Sequence, residues 1–198
     1  MSTASHVRDV IDASPVRSFL AVRDIPGASR AVESAFSRLA AQGEVVHVRH
    51  GLYWKGPKTR VGMPLPWPLV VALKVAGPGS GPAGPTAAHE LMLTTQVPAV
   101  DEVAVPGRAP SPVPGVVFTA RSYARRLHNL TATEVALLEV LRTWPAHTEG
   151  TWDDLVTIAK GRVADGSVRP DVLTKEVPHE RSRQLRDHWQ RLAKLLAA

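Results

Sequence analysis

Residues 28–56 read ASRAVESAFSRLAAQGEVVHVRHGLYWKG, and the fold is read outward from them. Val32, Ala35, Phe36 and Leu39 recur at i, i+3, i+4 and i+7, a spacing that stacks them on one face of an α-helix. The opposite face carries Arg30, Ser34, Ser37, Arg38 and Ala41, which are short or cationic. Ser29 is expected at the N-cap, where its hydroxyl accepts a bond from a backbone N–H of the first turn. Gly43 stands where a helix-terminating glycine belongs. Two strands are expected next, at Val45–Val48 and Leu52–Trp54, turned by Arg49, His50 and Gly51. A solvent-facing helix of arginines and small residues fits a DNA major groove about 12 Å wide, and a basic hairpin beside it reaches neighbouring phosphates.

The residues before this stretch extend the same pattern. SHVRDVIDA (5–13) predicts a short helix with Val7, Val10 and Ile11 inward, ended by Ser14-Pro15. Ser18–Leu20 fits a brief strand, Val22–Ile25 one helical turn, and Pro26-Gly27 a turn. Helix, helix, turn, helix, hairpin is the order of a winged helix-turn-helix, expected over residues 1–60. KGPKTRVGMPLPWP (55–68) is rich in proline and glycine and marks the boundary to a second domain, 61–198. Its cations Lys55, Lys58 and Arg60 suit a DNA backbone.

The second domain reads as a small α/β part to about residue 125 and a helical tail from 131 to 198. WPLVVALKVA (67–76) is an apolar helix or a buried strand, which periodicity leaves open. In GPGSGPAGP (77–85), Gly79, Gly81 and Gly84 match G-x-G-x-x-G, with Asp101 and Glu102 about twenty residues on, as a dinucleotide site asks. Pro78, Pro82 and Pro85 remove donors that a phosphate needs, and few strand–helix alternations surround the run, so it is read as a flexible loop. A helix at Thr86–Leu93 and strands at Glu102–Val105 and Val116–Thr119 follow. Arg121, Arg125 and Arg126 form a second basic cluster, a solvated face or part of a partner surface, of which the solvated face is the preferred reading. Thr131-x-x-Glu134 and Thr151-x-x-Asp154 resemble capping boxes opening two helices. Pro178 is placed near the first turn of a last helix, along which Leu185, Trp189, Leu192 and Leu196 form one stripe. The fold class expected is α+β: an N-terminal winged helix-turn-helix, then a mixed, mainly helical domain with a small sheet.

Bulk properties narrow the function classes. The 198 residues are enough for one or two domains with a real core. The net charge is +6, of which residues 1–60 hold +4, so the excess lies in the segment that resembles a DNA reader. With no cysteine there is no disulfide framework and no thiolate metal site, and an intracellular, cytoplasmic protein is expected. Arg8, Asp9, Asp12 and Arg17 interrupt any signal-peptide core, and no apolar run is long enough for a membrane span. His47-x-x-His50 lacks the further ligands of a zinc site, so no metal and no cofactor are expected. There is no H-E-x-x-H, G-x-S-x-G or P-loop, and Asp153-Asp154 is accounted for by helix capping. No catalytic residue is assigned, and the chain is not read as an enzyme.

With these residues in hand, Asp24–Gly56 resembles the N-terminal winged helix of AbiEi-like antitoxins of bacterial type IV toxin–antitoxin systems. TAAHELMLTTQVPAVDEVAVPGR (Thr86–Arg108) resembles the start of the second domain of that family. The similarity covers about residues 5–125, and the helical tail only loosely. The resemblance implies a partner toxin of nucleotidyltransferase type encoded alongside, a winged helix that represses its own operon by binding promoter repeats, and a C-terminal domain needed for antitoxicity. It places DNA contacts at Ser29, Arg30, Ser34, Ser37 and Arg38 on the helix and at Arg49, His50 and Tyr53 on the wing. Lys55 joins Arg49 as a backbone contact. His50 stands where many relatives have arginine, which implies a weaker, pH-dependent phosphate contact, since histidine is mostly neutral near pH 7. Two other readings compete: a stand-alone winged-helix regulator with a ligand-binding second domain, and a nucleotide-binding enzyme that uses the glycine run.

Overall fold

A computed structural model describes residues 2–197 as a mixed α+β chain dividing into two compact units, Met1–Trp67 and Pro68–Ala198. The first unit runs α1 (Thr3–Ala13), β1 (Ser18–Ala21), a single 3-10 turn (Val22–Asp24), α2 (Ser29–Ala41), β2 (Val46–Arg49) and β3 (Leu52–Lys55). The middle helix of the expected trio is therefore only three residues long. The strands form one antiparallel sheet in the order β1-β3-β2. Its core joins Val7 and Ile11 of α1, Val32, Ala35, Phe36 and Leu39 of α2, Leu20 and Tyr53 of the sheet, and Val45 just before β2. These are the apolar positions of the helical spacing, so burial and periodicity agree.

The ends of α2 differ from expectation at one end only. Ser29 is the first helical residue; Ala28 holds the cap position, and no side chain caps the helix. At the other end Gly43 and Glu44 donate to the carbonyls of Ala40 and Leu39 at 2.9 and 3.0 Å, satisfying acceptors that a terminating helix leaves open.

In the second unit, 67–76 resolves as a helix, α3 (Pro68–Ala76). Then come β4 (Gly81–Pro82), α4 (Gly84–Glu90), β5 (Asp101–Pro106), β6 (Val116–Arg121), α5 (Ala124–Leu127), α6 (Ala132–Thr143), α7 (Trp152–Ala164), α8 (Pro170–Glu176), a 3-10 turn (Val177–His179) and α9 (Arg183–Leu196). β5 is central, antiparallel to β4 and parallel to β6. The unit is built on α6, whose residues 134–141 are all buried and which packs against α4, α9 and β4. Both capping boxes are formed: Thr131 with Glu134, and Thr151 with Asp154. Pro178 lies in the 3-10 turn rather than in the last helix, which starts after Ser182 as N-cap. The stripe Leu185, Trp189 and Leu192 is buried in the core. Among the described residues no helix is long and apolar enough to cross a membrane.

The glycine run is not a flexible loop. Gly79–Ala83 is buried, and Gly81 and Pro82 pair with Ala104 and Val103 of β5. A Cβ on Gly81 would lie 2.5 Å from the Cβ of Val135, and one on Gly79 2.7 Å from the Arg125 carbonyl carbon. The small residues let β4 approach α6 and the α5 backbone closely, so packing accounts for the spacing. Gly79 also sits at φ +79°. Gly79→Ala is expected to destabilise the unit by about 2–4 kcal/mol, from overpacking and left-handed strain together. Gly166→Ala, at φ +77° with nothing within 4 Å of the added Cβ, carries the strain alone, about 1–2 kcal/mol. Denaturant unfolding of the two variants separates the effects; equal losses would remove the close-packing explanation.

The second basic cluster is not a solvated face. Arg125 is fully buried and Arg121 largely so. Arg125 donates to Glu139 at 2.7 Å and to Glu180 at 2.6 Å. Arg121 forks onto Glu139 at 2.7–3.0 Å, and Arg142 bonds both glutamates. Arg126 donates to the Ala76 carbonyl at 3.0 Å. Arg121 and Arg125 are drawn inward because their carboxylates come from α6 and from the turn before α9, while Arg126 stays exposed.

Candidate nucleic-acid interface

The buried face of α2 fixes what the other face presents. Ser29, Arg30, Ser34, Ser37 and Arg38 are all exposed. Arg30, Glu33, Ser34, Ser37 and Arg38 line one shallow depression on the helix. Arg38 turns back to its own helix, donating from Nε to the Ser34 carbonyl at 3.3 Å. On its other side it borders a second depression with Arg8, Leu39 and Gln42. Arg8 donates to Gln42 Oε1 at 3.2 Å, so α1 adds a cation to the same surface. Arg8 is absent from the sequence-derived set because only the packing of α1 on α2 brings it there.

The hairpin places Arg49 half-buried on β2 and His50 exposed in the turn before Gly51. His50 Nδ1 lies 3.4 Å from a Glu33 carboxylate oxygen, which brings the hairpin tip against α2. Glu33 is the second residue that the helical reading passed over. It stands one turn beyond Arg30, half-buried on the flank of the exposed face that the hairpin approaches.

Two expected DNA contacts are structural instead. Tyr53 is 2 % exposed, its ring stacked on Phe36 at 4.5 Å and its hydroxyl 3.4 Å from Ser37 Oγ. Alternation along β3 fails because both its faces are covered. Tyr53 packs on α2, while Trp54 meets Phe19 at 4.8 Å and has the 56–63 segment against it, where Gly56 N–H donates to Met63 Sδ at 3.0 Å. Lys55 Nζ donates to the carbonyls of Ile11, Asp12 and Ser14 at 2.6, 3.2 and 2.6 Å. It caps the C-terminal end of α1, where carbonyls lack intrahelical partners and the helix dipole favours a cation. Lys55→Ala is expected to lower the stability of the first unit by about 1–2 kcal/mol in thermal unfolding and to leave DNA affinity unchanged. A loss of affinity without a loss of stability would return Lys55 to the interface.

The surface that remains combines Arg8, Arg30 and Arg38 with serine hydroxyls from α2 and with Arg49 and His50 on the hairpin. Arginine forks suit phosphates and guanine edges, and hydroxyls adapt to either. No protein-family model and no curated protein matches the chain. Among solved structures it is similar to the crystal structure of the RV2827C protein from Mycobacterium tuberculosis, with 18 % sequence identity and a TM-score of 0.44 over 98 % of this chain and 80 % of that one.

Proposed function

We propose that this chain is a bacterial antitoxin and autorepressor: its first unit binds double-stranded DNA of its own promoter as a winged helix, and its second neutralises a nucleotidyltransferase-like toxin in the cytoplasm. One observation carries the DNA half. The polar, arginine-bearing face of α2 is exposed while its apolar face is spent on the core, and a hairpin flanks it in the same unit. The toxin half rests on the resemblance of Asp24–Gly56 and Thr86–Arg108 to AbiEi-like antitoxins. The first unit is the groove reader and phosphate clamp; the second has no assigned chemistry and acts through its surface.

The test uses the intact chain beside its neighbouring gene. A reporter driven by the upstream promoter is expected to be repressed by the native protein and released by Arg30→Ala/Arg38→Ala. The flanking gene is expected to arrest growth when expressed alone and not when co-expressed. A flanking gene that is harmless alone, with the reporter still repressed, would leave a transcription regulator and remove the antitoxin.

A further inference from the structure

We propose that Glu33 reads a cytosine, so that the DNA taken by α2 carries a C·G pair within a step or two of the guanine met by Arg30. This rests on the reading of α2 as a groove-inserted helix. Arg30, Glu33, Ser34 and Ser37 fall at i, i+3, i+4 and i+7 and line one depression, so they meet one strip of a partner. The Glu33 side chain is 38 % exposed, and one of its carboxylate oxygens lies 3.4 Å from Nδ1 of the exposed His50. It belongs to no buried network and caps no helix end.

On an inserted helix this position faces base edges, while phosphates line the groove rims. A carboxylate there is repelled from both rims unless a base offers it a donor. In the major groove the cytosine amine N4 is that donor, with no acceptor beside it on the same base. The adenine amine N6 sits next to the N7 acceptor, which repels the second carboxylate oxygen. Arg30 has the complementary preference, a fork onto guanine O6 and N7. Three residues of helix advance about 4.5 Å and a base pair about 3.4 Å, which sets the two contacts on adjacent or next-but-one steps. In the free protein one Glu33 carboxylate oxygen lies 3.4 Å from Nδ1 of His50 on the hairpin.

The experiment is a selection of randomised duplexes by the intact native protein, Glu33→Gln and Glu33→Ala, read by sequencing. The native protein is expected to fix cytosine at one position. Glu33→Gln is expected to move that preference to adenine, because a carboxamide pairs with N6 and N7 together. Glu33→Ala is expected to erase it there alone, a loss of about tenfold in discrimination, and to keep the other positions. Identical preferences in all three proteins would overturn the assignment of Glu33 while leaving α2 as a groove reader. A native protein that enriches no sequence would overturn the groove reading itself.

Discussion

Arg125→Ala is expected to destabilise the second unit by about 3–5 kcal/mol, the cost of removing two charge-assisted hydrogen bonds from buried carboxylates. The guanidinium is fully buried between Glu139 and Glu180, and truncation takes one partner from each of two carboxylates that are themselves 1–2 % exposed. Arg121 and Arg142 remain on Glu139, and Arg142 on Glu180, so the cluster is weakened rather than abolished. Domains are stable by about 5–15 kcal/mol in total, so the variant should sit near its unfolding transition at ordinary temperature. Chemical denaturation followed by tryptophan emission measures it, since Trp152 and Trp189 lie in that core. A loss below about 1 kcal/mol would mean that the cluster is solvated and the burial argument is wrong.

The same cluster sets the acid limb of stability. Burial opposes ionisation of Glu139, but the hydrogen bond from Arg121 and the charges of Arg125, Arg121 and Arg142 prevail and hold its carboxyl below the usual range. Its folded pKa lies below its unfolded one. Its stabilising contribution is therefore complete above the unfolded value of about 4.3 and is lost as pH falls through the depressed folded value. Glu176 runs the other way. Burial raises its pKa, a hydrogen bond with His128 offsets this only in part, and its charge costs stability as pH rises through the raised value. One of its oxygens has no partner. Stability is expected to hold on mild acidification and to fall below the carboxylate range, and Glu176→Gln is expected to be neutral or stabilising at pH 7.

Arg30→Ala/Arg38→Ala is expected to reduce affinity for the operator by tenfold or more, each base contact contributing about 1–3 kcal/mol. Both side chains are exposed, so stability should change by no more than about 0.5 kcal/mol each. Arg49→Ala, on β2 of the hairpin, is expected to act differently. It should weaken specific and unrelated duplexes alike and reduce the salt slope by about 1, as a lost phosphate contact does. A double variant that binds like the native protein would move the interface off α2.

What could be read from the sequence was local. The amphipathic spacing of Val32, Ala35, Phe36 and Leu39, the Gly43 stop and the Thr131 and Thr151 boxes each involve residues within a turn or two, and all of them are formed. What could not be read depends on distant partners. Lys55 looked like a linker cation because its three carbonyls lie over forty residues upstream. Arg125 looked solvated because Glu180 is 55 residues away. Tyr53 looked exposed because its cover is α2, where it stacks on Phe36, a contact between elements that the strand's own residues do not announce. The glycine run imitated a nucleotide motif because close packing and phosphate approach demand the same small residues. Within the candidate interface, periodicity put Arg30, Ser34, Ser37 and Arg38 on the exposed face of α2, where they lie. Arg8 became visible only through tertiary packing. Glu33 needed only attention to the one acidic residue on an otherwise cationic face.

The most direct measurement is an anisotropy titration of the intact protein against a labelled duplex from upstream of its own gene, repeated between about 50 and 200 mM salt with unrelated duplex as competitor. Saturable binding that resists the competitor, weakens steeply with salt and is lost in Arg30→Ala/Arg38→Ala is the expected result. Binding that is absent, or equal for both duplexes and for the double variant, would contradict a DNA-reading role for the exposed face of α2.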